Sequence, residues 1–244
     1  MTAPALAGLV TLIVAPDAGP ADLPGDLPPF VGAVAVDDLL LPTVREHAPG
    51  LPVTVVGTGG AAQVAGPLGL AARAGLVLAG VRTTLRDAAD PAGNVRRVVA
   101  ALDPLRDDGT LPEDVPVTVV LPTGVGGYGA EAALDEIGYA DLVVGLDATR
   151  PEVWTALVDA ALDREVATET VRGDRDPVAV LAAVRSCLDG EPDEAARLLA
   201  GSATAAWAAF DAATLERTRR WCRRVDVPAP QVADRVAASA AVTG

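Results

Sequence analysis

Apolar and polar positions along this chain come in blocks. Runs that are apolar almost throughout lie at Leu9–Ala15, Val31–Val36, Val53–Val56, Leu76–Val81, Val117–Leu121, Leu142–Leu146 and Val166–Val171. Continuous apolar runs of this length mark parallel strands covered on both faces, because a half-solvated strand would alternate residue by residue. Each run breaks into turn formers or polar residues. These are Pro16-Asp17, Asp37-Asp38, Gly57-Thr58-Gly59-Gly60, Arg82-Thr83-Thr84, Pro122-Thr123-Gly124, Asp147-Ala148-Thr149 and Arg172-Gly173-Asp174.

Between these runs the period becomes helical. Asn94–Leu105 sets Val95, Val98, Val99 and Leu102 on one face and Arg96, Arg97 and Asp103 outside. Pro151–Leu162 opens on a proline, which the first helical turn tolerates because its N–H has no partner to lose, and buries Val153, Trp154, Leu157 and Val158. Pro177–Leu188 repeats that design with Asp176 as cap. Ala130–Ile137 is expected to stop at Gly138, and Asp193–Leu199 and residues 203–220 also follow a helical pattern.

Seven strand-then-helix units predict an all-parallel α/β fold occupying one domain, residues 1–244. Two architectures fit: a TIM-barrel-like (β/α)8 fold, or an open doubly wound parallel sheet. An open sheet usually carries a glycine-rich phosphate loop after its first strand. Here that strand leads into Ala15-Pro16-Asp17-Ala18-Gly19-Pro20, too rich in proline to cradle a pyrophosphate. A barrel needs an eighth strand, and the candidate, Trp221–Val227, is weakened by Arg223 and Arg224. The barrel is the favoured reading.

Composition narrows the chemistry more than the fold. Half of the 244 residues are hydrophobic but only 3% are aromatic, so the core must be built from Ala, Val and Leu. A formal charge of −14 argues against nucleic acid and against an anionic membrane surface, both of which need a basic footprint. All 19 basic residues are arginine, which removes Schiff-base chemistry and the phosphate-loop lysine. The single histidine, His47, falls near the end of the helix after the second strand, on the rim away from a barrel's active face. No serine sits in a Gly-x-Ser-x-Gly elbow, and Cys187 and Cys222 have no second pair to make a metal or redox motif. With no signal segment and no long apolar run, the chain reads as cytoplasmic and without a motif for a cofactor or a dedicated metal centre.

The order GLDATRPEVWTALVDAALDREVATETVRG, a helical segment, then ERTRRWCRRVDVPAP resembles a bacterial family of uncharacterised TIM-barrel-like proteins. That family's seventh strand has a Phe-Lys-x-Thr-x-Gly pattern followed by a histidine pair. Its last strand holds a Ser/Cys motif before an Asp-Glu-Pro turn. On this layout Val166 takes the Phe position, Ala167 the Lys and Glu169 the Thr. Gly173 and Asp174 fall near the histidine pair, and Val225–Pro228 near the final motif. The resemblance spans roughly residues 110–235 and implies an eight-stranded barrel-like fold and no known activity.

In a barrel, chemistry gathers at the C-terminal ends of the strands. That rule collects Asp37, Asp38, Thr58, Arg82, Thr123, Asp147, Glu169 and Arg172, with Arg223 and Arg224 from the last strand. Arg82 and Arg172 suit a small anionic metabolite held by bidentate guanidinium contacts. Asp147 and Glu169 suit a general base or acid, or carboxylates holding Mg²⁺ through waters. The bland alternative is that Asp147 and Asp38 cap the helices that follow them. Alternation sets Ala167, Glu169 and Val171 on one face of the seventh strand and Val166, Thr168 and Thr170 on the other. A buried Glu169 needs a partner, for which Arg82 is a candidate. VVGTGGAAQ reads as a tight turn opening a helix, with an anion nest as the alternative, and LPTGVGGYG, with Gly126 and Gly127, as a lid or phosphate loop or equally a flexible surface loop.

Two functional readings result. In one, the barrel lacks conventional catalytic machinery and acts as a binding or scaffold protein. In the other, it is an enzyme or binder for a small anionic metabolite, using Arg82, Arg172, Asp147 and Glu169 as its working residues. A third expectation makes the alanine-rich C-terminal helices a homodimer interface.

Overall fold

A computed structural model describes residues 6–15, 17–57, 59–201, 205–206 and 209–229. Eight parallel strands close into a barrel in sequential order: β1 Val10–Ile13, β2 Val31–Asp37, β3 Pro52–Gly57, β4 Val77–Thr84, β5 Val117–Val120, β6 Val143–Asp147, β7 Thr168–Arg172 and β8 Cys222–Pro228. The helices are α1 Leu41–His47, α2 Ala65–Ala74, α3 Pro91–Asp107, α4 Gly127–Tyr139, α5 Pro151–Leu162, α6 Pro177–Leu188, α7 Pro192–Leu199 and α8 Ala212–Thr218. The barrel, rather than the open sheet, is therefore the architecture. No helix among the described residues is long and apolar enough to cross a membrane.

Internal contacts divide the chain into two units: residues 1–12, 28–32 and 145–244, and residues 13–27 and 33–144. In the second unit, strand registry sorts the side chains. Asp37 aligns with Val56, Val56 with Arg82 and Arg82 with Thr118, while Val36, Val55, Val81 and Val117 align in the adjacent row. Parallel neighbours in register share a face, so Val34, Val36, Val53, Val55, Val81, Val117 and Val119 form one apolar face. Packed helices require an apolar surface, which assigns this face to the helix layer. The alternate face, carrying Asp37, Thr54, Arg82, Thr84 and Thr118, then points into the barrel.

In the first unit α6 is buried on every side, from Pro177 through Val184, Ser186 and Cys187. Its sequence, PVAVLAAVRSCL, is apolar around nearly the whole circumference, and such a helix must be covered all round. It packs against α5, α7, α8 and β8. Asp176 caps it by accepting from the N–H groups of Val178 and Ala179, and α5 and α6 have the boundaries their prolines predicted.

Several boundaries differ from the sequence reading. β4 continues through Arg82, Thr83 and Thr84, because the inward positions of Arg82 and Thr84 near a barrel's mouth accept polar side chains and threonine suits a strand. α4 begins at Gly127 and runs past Gly138 to Tyr139, since burial of Ala130, Ala133, Leu134 and Ile137 outweighs the glycine's poor propensity. Within residues 203–220 the helix described is Ala212–Thr218, started afresh by Asp211, which accepts from the Thr214 N–H. β1 and β7 are shorter than their apolar runs. Thr58 lies outside the described residues.

Candidate functional site

The ends of β6 and β7 build a defined rim. Asp147, the last residue of β6, accepts from the Thr149 N–H at 2.9 Å and the Thr149 hydroxyl at 2.6 Å, closing an Asx turn. It does not cap α5, whose N-cap position is Arg150 and carries no side-chain cap. Asp38 is likewise not the cap of α1. The neighbouring Asp37 accepts from the Leu39 and Leu40 N–H groups, one turn ahead of the helix.

Arg172 ends β7 beside this turn. Its carbonyl accepts from the Ala148 N–H at 3.1 Å, and its guanidinium lies 3.9 Å from the Asp147 carboxylate. That separation exceeds a hydrogen bond, and the Arg172 side chain, 59% exposed, makes none among the described residues. Gly173 follows with φ +105°, pressed so closely to the β6–α5 loop that a Cβ would meet the Ala148 carbonyl carbon at 2.5 Å. Arg175 ties the two loops again, donating from Nε to the Ala148 carbonyl at 3.0 Å.

Glu169 belongs elsewhere. It is 2% exposed and stands in register with Arg224 of β8, while Thr168 aligns with Cys222 and Thr170 with Val225. The register shifts between Thr168 and Glu169, so Arg223 is the extra residue of a bulge and is exposed. The two arginines that made this segment a doubtful strand are thus an outward bulge residue and a register partner. Glu169, Arg224 and, two residues on, Asp226 share one face of β7–β8, and Cys222, Val225 and Val227 take the other, beside α6.

Asp147 and Arg172 are neighbours, whereas strand alternation puts Arg172 and Glu169 on opposite faces of β7. In the other unit Arg82 is buried on the inward face in register with Thr118. Thr123 is exposed on the β5–α4 loop. Gly126 is the N-cap of α4 and Gly127 its first residue, so the glycine-rich stretch is loop only as far as Gly126. His47 closes α1, 3.8 Å from Glu46.

Arg224 and Asp226 could have been found from the alternation in CRRVDVP had the bulge been foreseen. Burial pushes the Cys187 thiol up to about 12, helped by Asp159. Burial also pushes Cys222 up to about 12, with Arg219 opposing and Glu169 adding to the rise. Neither is a ready nucleophile, since the thiolate is the reactive form. Among the described residues no group of His, Cys, Asp and Glu is placed to hold a metal ion. Comparison with known protein families and with curated proteins produced no match to either.

Proposed function

We propose that this barrel acts by non-covalent binding, and that its ligand is a small anionic molecule held at the β6–β7 rim. The observation that carries the reading is the Arg172 guanidinium. It is exposed at the C-terminal end of a barrel strand, with no hydrogen bond of its own among the described residues and its nearest carboxylate 3.9 Å away. Its backbone is fixed by the Ala148–Arg172 hydrogen bond and the Gly173 contact, so the donors are presented from a rigid base. Arg150 and Arg175 lie on the same two loops, so this rim gathers three of the chain's guanidinium groups. Planar guanidinium donors match carboxylate and phosphate oxygens two at a time. Glu169 and Arg172 lie on opposite faces of β7, which favours binding at the rim over acid–base catalysis by that pair. Two free buried cysteines fit a cytoplasmic setting.

Calorimetry with phosphorylated sugars and small di- and tricarboxylates tests the reading. At least one should bind wild-type protein, and Arg172→Leu should weaken it about tenfold or more, the loss of one charge-assisted contact. The same substitution should leave thermal stability nearly unchanged, since an exposed pair at this distance contributes about 0.5 kcal/mol or less. Binding by none of these ligands, or equal affinity in the variant, would overturn it.

A further inference from the structure

Five arginines fall within residues 217–224, a stretch that holds no carboxylate. It runs from the end of α8 into the start of β8, at the opposite end of the strands from Arg172. Arg217, Arg220 and Arg223 are exposed, while Arg219, Trp221 and Arg224 are half-buried. No ion pair among the described residues joins Arg217, Arg220 or Arg223 to a carboxylate. Arg217 donates to the Thr214 hydroxyl, and the Arg220 guanidinium lies 4.6 Å from the centre of the Trp221 ring. Glu216, one turn before Arg220, is exposed and pairs with none of them. Arg224 and Arg223 repel the Arg219 guanidinium, so like charge accumulates here instead of cancelling.

We propose that this face docks a short acidic segment of a partner protein, whose carboxylates accept from Arg220 and Arg223. Stacking on Trp221 holds the Arg220 guanidinium by its face and leaves its in-plane N–H groups to donate. Arg219 ties down the carbonyls of Cys222 and Arg223, so the bulge that turns Arg223 outward stands on a fixed base. Guanidinium donors in this state match carboxylate oxygens two at a time. Charge decides the occupant. A nucleic acid would run off the patch onto a chain of net charge −14, so its repulsion grows with length. A short acidic segment keeps its charge over the arginines. A two-fold contact with a second copy would set arginine against arginine, which repels.

The probe is a short fluorescein-labelled glutamate-rich peptide, followed by anisotropy across a salt series. Its glutamine counterpart and a single-stranded oligonucleotide of equal charge are the comparisons. Wild-type protein should bind the glutamate peptide, more weakly as salt rises, and should bind both comparisons less. Arg220→Gln/Arg223→Gln should lose about tenfold or more in peptide affinity, the loss of two charge-assisted contacts. Both side chains are exposed, so this variant should keep the wild-type circular dichroism spectrum and melting point. Absence of peptide binding, or binding undiminished in the double variant, sinks the proposal. Tighter binding of the oligonucleotide would make the partner a nucleic acid, and an arginine-dependent dimer in sedimentation velocity would make it a second copy; either overturns it. Loss of peptide affinity in Arg172→Leu would move the peptide to the β6–β7 rim and overturn it as well.

Discussion

Glu169 of β7 stands in register with Arg224 of β8, and the bulged Arg223 is what brings them level. Without the extra residue, Arg223 would align with Glu169 and every later side chain of β8 would change face. Valines 225 and 227 would then turn inward and Asp226 would be driven under α6. We expect Glu169→Leu and Arg224→Leu each to destabilise the fold by about 2–4 kcal/mol, since each strands an inward charge. The double variant should cost clearly less than the sum. A double-mutant cycle in urea reads this directly, and strict additivity would show that the two residues act independently.

Gly173 permits the close approach of the two rim loops. Its φ of +105° is unsuited to an L side chain, and any Cβ would overlap the Ala148 backbone. Gly173→Ala should therefore cost about 2 kcal/mol or more, combining backbone strain with a forced separation of the loops. If the rim is the binding surface, the same variant should also lose ligand affinity. Limited trypsin digestion provides a local readout, because loosened loops should be cut faster at Arg172 and Arg175. An unchanged digestion rate and midpoint would mean the loops can part without cost.

How much of this was legible beforehand depended on which force decided each element. The order of strands and helices could be read because parallel strands buried on both faces need unbroken apolar runs, as in Val143–Leu146. The limits of α5 and α6 could be read because Pro151, Pro177 and Asp176 act locally. Alternation also placed Glu169 and Arg172 on opposite faces of β7, which the expected four-residue site overlooked. Tertiary effects were hidden. Arg82 and Thr84 read as a strand exit because nothing local says that a barrel's inside tolerates them. Gly138 read as a helix stop because the burial of Ile137 is not a property of the local sequence. The bulge at Arg223 depends on the partner strand, so the eighth strand looked worse than it is.

Arg219 holds the start of β8. Its guanidinium donates to the carbonyls of Cys222 and Arg223, both at 2.6 Å, and to the Ala7 carbonyl at 3.3 Å. Burial lowers its pKa, with Arg224 and Arg223 adding to the effect and Cys222 opposing it. Arg219→Met should cost about 1–2 kcal/mol by removing the shared donor of three carbonyls, of which the Cys222 carbonyl is part-buried. Arg219→Lys should recover only part of that, because one ammonium cannot span three acceptors set at these positions. Hydrogen exchange should rise at the amides of β8 and near residue 9, whose carbonyl accepts from the Val225 N–H. Protection equal to wild type in both variants would assign Arg219 no part in anchoring β8.

The two cysteines give the fold a pH dependence whose sign can be worked out. Each thiol has an ordinary value of 9.0 and is pushed up to about 12 in the folded chain, chiefly by burial. Below pH 9 the thiols are protonated in both folded and unfolded chains, so their contribution to stability is fully present. Between pH 9 and about 12 the unfolded chain releases these protons and the folded chain keeps them. The unfolded state then binds fewer protons, and stability falls as pH rises through that window. No lysine is present to titrate across the same range. Urea midpoints measured from pH 8 to 11 should decline, and the double substitution Cys187→Ala/Cys222→Ala should shallow the slope even if it lowers the starting stability. In keeping with this, an aromatic disulfide reagent at pH 8 should react with neither thiol in native protein and with both in denaturant. Rapid native-state labelling of either would show that its burial, and with it the predicted slope, is wrong.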